Sequence, residues 1–191
     1  LSPVFSVAYP YIAKKVIGVT DVKVGLLQSI VTGAMIVGAM MCGVITKNIK
    51  ANRCMFISVV IISFLMSILA FSQSSIYVNL FKTNMVAYMH LAILGFLIIF
   101  VGTVNNIVLM TTIQKEVPLD MLGRVNTVMT SLAMAAMPLG CIIFGFSIDK
   151  FKPWICILVA SGIAFATIMY FKKDLLQIEI KEDEMNVNAE V

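Results

Sequence analysis

Asn105 and Asn106 are adjacent amides in the stretch 86–112, which is otherwise almost wholly apolar. An amide in hydrocarbon is costly unless it meets a partner or water, so a polar group at membrane depth marks a solute path or a bond between helices. On a helix the two side chains point about 100° apart and cannot both face lipid. At least one of them is therefore expected to line a cavity or reach a neighbouring helix. Thr103, and Gln28 and Thr32 in an earlier apolar stretch, are weaker candidates for the same path. The chemistry open to such groups is recognition and passage of a solute, with no bond broken.

Other chemistries find little here. Cys42, Cys54, Cys141 and Cys156 lie in or beside apolar segments without a CxxC pair or an accompanying histidine, so neither a metal site nor a disulfide framework is expected. They read as small packing side chains. No HExxH or GxSxG motif and no carboxylate or Cys/His pair at membrane depth occurs, which leaves an enzyme without machinery and implies no cofactor. His90 is the single histidine and is expected near the outer end of its span as an interfacial residue.

The elements that position these residues follow from composition. Of 191 residues 60% are apolar and 13% charged, and mean hydropathy is +1.00, well outside the range of soluble domains. The fold class is all-α, a polytopic membrane bundle. A net charge of +4, dispersed over the chain, is too weak for nucleic-acid binding, and loop cations are usual in inner-membrane proteins. Apolar stretches predict spans at 24–46, 54–71, 86–112, 124–147 and 154–171, with a partial span at 1–13. That first stretch holds Pro10 and covers only about half of a ~30 Å hydrocarbon layer, so it is expected to be the tail of a helix that starts before Leu1. Residues 174–191 form an acidic, polar tail, expected to be flexible and cytoplasmic.

Between the third and fourth complete spans lies a short polar link. Pro118 cannot extend the helix before it, and Gly123 and Arg124 open the one after, so two antiparallel neighbours joined by a tight turn are expected. The run Gln114, Val117, Pro118, Gly123, Arg124, Val125, followed by Pro138, Leu139, Gly140 and the exit from Gly145 to Asp149, resembles the link between the tenth and eleventh helices of major facilitator superfamily transporters. The nearest likeness is to the drug-exporter branch that includes macrolide-efflux proteins. Gly145 and Asp149 resemble half of the superfamily's signature loop; the equivalent place after Gly43 holds Lys47 instead of Asp, and the second Gly and the Arg pair are absent at both.

The resemblance implies one six-helix half of that fold, its first helix truncated, in residues 1–173. It also implies two inverted three-helix repeats, a missing N-terminal six-helix half as partner, a plasma-membrane location, and export of a small hydrophobic substrate by alternating access. Proton coupling would need residues outside this chain, because no Asp or Glu falls within an expected span. An import permease of the same fold and a non-transporting assembly subunit remain open alternatives.

An internal repeat agrees with inversion. Shifted by 102 residues, Ser29, Ala34, Gly38, Gly43, Lys50 and Cys54 fall on Ser131, Ala136, Gly140, Gly145, Lys152 and Cys156. Three spans separate the copies, so they would cross the bilayer in opposite senses. Ala34, Gly38 and Cys42 recur every four residues and form a small-residue stripe, with Gly43 beside it; Ala136 and Gly140 repeat part of it, and such stripes allow close helix approach. The uniformly apolar spans 54–71 and 154–171 are expected to face lipid, and the three bearing Gly, Asn, Thr or Gln to face protein or water. Loop cations nearly balance between the two sides, with a slight excess on the side of the Pro118–Arg124 link, which is therefore taken as cytoplasmic.

Overall fold

The structure, a computed structural model, describes residues 9–47, 49–72, 84–151 and 153–170. The acidic tail and the first residues of the partial span lie outside these. Among the described residues there is no strand. The helices are α1 (Tyr9–Val16, of which Ile12–Val16 is a π turn), α2 (Asp21–Thr46), α3 (Ala51–Ser72), α4 (Asn84–Glu116), α5 (Leu119–Lys150) and α6 (Pro153–Tyr170). Five of them, α2 to α6, are long and apolar enough to cross a membrane. The chain is an all-helical, multi-pass membrane protein.

These helices run further than the apolar stretches predict. Hydropathy marks the part that needs hydrocarbon, whereas the backbone hydrogen-bond ladder continues into polar residues where nothing breaks it. The polar link thus shrinks to Val117 and Pro118. Pro118 is the N-cap of α5 (φ −56°, ψ 144°), and its carbonyl accepts from Met121 and Leu122 at 3.0 Å. Its ring holds Val117 out of helical geometry, which ends α4. The longer helices carry Asp21, Glu116 and Asp120 into their end turns, so the carboxylates stay at helix ends.

α4 is the hub, with α2 and α3 packed along it. Tyr88 donates to the Lys23 carbonyl at 3.0 Å, Gly38 meets Phe100 and Thr103, and Cys42 clusters with Val104 and Val108. These pairs rise together, so α2 and α4 run parallel. α3 runs the other way: Cys54 shares the cluster of Val104 and Val108, while Leu69 and Ala70 join that of Leu91 and Leu94. This alternation is what successive crossings require.

One cluster surrounds the first half of α4, with Ile12, Leu27, Met66, Leu69, Leu91 and Ile157 almost wholly enclosed. α1 is pinned to it by Tyr9, whose hydroxyl donates to the Leu91 carbonyl at 3.1 Å. The Tyr9 ring fills the notch left by Gly95, where a Cβ would lie 2.9 Å from ring carbons. Gly18, at φ +71°, turns the chain from α1 into α2 in a conformation that side-chain-bearing residues rarely adopt.

The expected division of faces is corrected. In the most apolar window of each helix, 39% of α3 is buried within the chain but only 6% of α5. α3 does not turn wholly to lipid, because Ser58, Ile62, Ser63, Met66 and Leu69 form one buried face. Lipid is as apolar as leucine, so hydrophobicity cannot mark which side of a membrane helix packs. α5 touches α4 little and is not packed along it as the tight-turn expectation implied.

Candidate functional site

The site is built on the second half of α4. Gly38 of α2 brings the two backbones together there: a Cβ on it would lie 3.0 Å from the Phe100 carbonyl oxygen and 3.2 Å from Thr103 Cβ. Thr103 donates to the Ile99 carbonyl at 2.8 Å, so its proton is used within its own helix. A turn further on, Val104 and Val108 close against Cys42 and Cys54. Asn105 follows Val104 in the chain and points about 100° further round the helix.

The two amides diverge. Asn106 is exposed, while Asn105 is half-buried with its Oδ1 shielded and meeting no donor among the described residues. An acceptor left so costs about 1–3 kcal/mol. It sits seven residues before Thr112, roughly 10 Å inside the apolar stretch. A carbonyl oxygen at that depth can accept from water, from a solute, or from a donor on a further element.

The remaining path candidates are not gathered around it. Gln28 and Thr32 lie on an exposed part of α2, and Thr32 donates to the Gln28 carbonyl at 2.9 Å. The parallel register with α4 leaves them roughly 12–20 Å along the axis from Asn105. Gln114, Pro118, Gly123 and Arg124 are exposed around the helix break, and Gly145 is half-buried in α5. Asp149 lies in the last turn of α5, with its side chain outside the described residues. His90 is half-buried near the start of α4.

Among the packing candidates, Ala34, Gly38 and Cys42 are buried. Gly43, one residue off that stripe, is exposed; Ala136 is exposed and Gly140 half-exposed. Two groupings had no counterpart in the sequence expectations. One is the Tyr9–Gly95 notch, and the other is a contact between Ser67 of α3 and Ser161 of α6, whose oxygens are 3.1 Å apart. Serines 63 and 67 stand one helical turn apart, a signal visible in the sequence. Nothing there shows that Ser161 faces them.

Among the described residues no group of His, Cys, Asp or Glu could hold a metal ion. What the arrangement offers is a pair of amides at depth beside a close helix crossing. No protein family, no curated protein and no solved structure matches this chain.

Proposed function

We propose that the chain is part of a secondary-active transporter that exports hydrophobic small molecules by alternating access. In this reading it is one half of a major facilitator fold, built as two inverted trios of helices, and it lies in the plasma membrane. The observation that supports the reading is the pair of amides inside an apolar span, Asn106 exposed and Asn105 half-buried with an unpartnered Oδ1. Polar side chains at membrane depth face a cavity or a partner helix and not lipid, and an exposed amide beside a half-buried one fits the wall of a path. The small-residue stripe of α2 and its partial copy on α5 support the two-trio arrangement. The exposed apolar length of α5 offers the face that a second half would cover. Coupling protons would be carried by residues beyond this chain.

The test is export of a fluorescent hydrophobic substrate from cells expressing the whole protein. Asn105→Ala and Asn106→Ala should each impair export while membrane abundance stays unchanged. Loss of abundance in step with export would instead make the amides structural, as in an assembly subunit. Uptake in place of export would make the protein an import permease of the same fold.

A further inference from the structure

α4 and α5 are joined through Val117 and Pro118 alone, yet they touch little along their length. Away from that link they meet again through one cluster, which holds Leu91 and Leu94 of α4, Tyr9 of α1 and Ile148 of α5, with Phe144 packed against it. The two helices are thus tied near both ends and stand apart between. Helical phase tells which residues face that opening.

On α4, the Tyr9 ring lies over Gly95, so this side of the helix turns to the cluster. Asn106 comes eleven residues later, which is about three turns and 20° round the helix. It stands almost in line with Gly95, and it is exposed. On α5, Asn126 precedes Phe144 by eighteen residues and Thr130 precedes Ile148 by the same number, about five turns in each case. Each exposed polar side chain is therefore in line with a residue that packs on the cluster. Pro138 tilts the axis between them but adds no residue to the count. The opposite line of α5 carries Val128, Leu132, Leu139 and Phe146, all apolar and more than half exposed. A helix with one polar and one apolar line turns the polar one away from lipid. Depth agrees with phase. Asn106 lies ten residues before the end of α4 and Thr130 eleven after the start of α5, roughly 15–17 Å from the link in both.

We propose that Asn126 and Thr130 form the second wall of the solute path, across the opening from Asn106. An amide and a hydroxyl each donate and accept, so the two walls hold a mainly apolar solute between them by hydrogen bonds. This assignment rests on the transport reading and adds to it the helix that faces α4.

The test uses the whole protein in native membranes, freed of its native cysteines and carrying either the pair N106C/T130C or the pair N106C/V128C. A short bis-maleimide should join the first pair and leave the second unlinked, and hydrophobic substrate should slow the reaction several-fold. Export of a fluorescent hydrophobic substrate is then compared in three single variants. Asn126→Leu and Thr130→Val should each raise KM about fivefold, the loss of one neutral hydrogen bond, with maximal rate and membrane abundance little changed. Thr130→Ser keeps the hydroxyl and should stay at the parent KM, whereas a residue needed only for its shape would favour valine. Export with the first pair unlinked, or with KM unchanged in Thr130→Val, would overturn the second wall and leave the transport reading standing. Absence of export by the parent protein would remove that reading, and this assignment with it.

Discussion

α2 and α5 carry the two copies of one small-residue pattern and end in different surroundings. In α2, Ala34 and Gly38 are buried against α4; in α5, Ala136 is exposed and Gly140 half-exposed. Cys54 and Cys156, which close the two copies, are both buried. A small-residue stripe thus permits close approach but does not supply the helix that approaches. α4 takes α2 and α3 along its length, and α5 is left with Leu132, Met134, Ile142 and Phe146 each about two-thirds exposed.

The comparison breaks most directly at matched glycines. Gly38→Leu should destabilise the α2–α4 crossing by about 3 kcal/mol, because the Phe100 carbonyl it would strike is backbone and cannot swing aside. Gly140→Leu, its counterpart on α5, should change stability by less than about 0.5 kcal/mol, since Gly140 is half-exposed and its neighbours Ala136 and Leu139 are exposed. Chemical unfolding in mild detergent, followed by circular dichroism, measures both. Equal losses would mean that α5 packs as tightly as α2.

The Tyr9 notch sharpens the same point at a smaller scale. Gly95→Ala should cost about 2 kcal/mol, because the added methyl meets the Tyr9 ring, and Tyr9→Phe about 1 kcal/mol through the lost bond to Leu91. Combining Gly95→Ala with Tyr9→Ala should cost less than the sum of the two single changes. Asn105→Ala should stabilise the fold slightly, by up to about 1 kcal/mol, as it removes an unpaired acceptor. A clear loss of stability would place a donor on Asn105 and make it a packing residue. The smallest effect is expected at Lys14 and Asp21, paired at 2.7 Å but 65% and 80% exposed. Asp21→Asn should move the unfolding midpoint barely at all, the usual result for a solvated ion pair.

Much of the architecture is legible in the sequence because hydrocarbon is an exacting solvent. The charged and Gly/Pro-bearing links around Lys47–Arg53 and Pro118 mark where helices end to within a few residues. Which helix packs on which is not legible. The serines of α3 look like scattered polar residues in a bland span, yet Ser58 and Ser63 are buried and Ser67 meets Ser161. Two uniformly apolar helices give no moment to read, so their shared face appears only in three dimensions. The amides of α4 are legible as polar residues at depth and as a diverging pair. Which of the two is the shielded one is set by the packing around α4 and is not legible in the sequence.

The central claim is that the amides of α4 touch a water-filled path. With Cys42, Cys54, Cys141 and Cys156 replaced, single cysteines at positions 105, 106, 64 and 132 can be challenged in intact membranes with a small water-soluble maleimide. Cysteine at 105 or 106 should react, and hydrophobic substrate should slow it, while cysteines at 64 and 132, on apolar faces away from the path, stay inert. If 105 and 106 remain as unreactive as 64 and 132, no wet path reaches α4 and the transport reading is wrong.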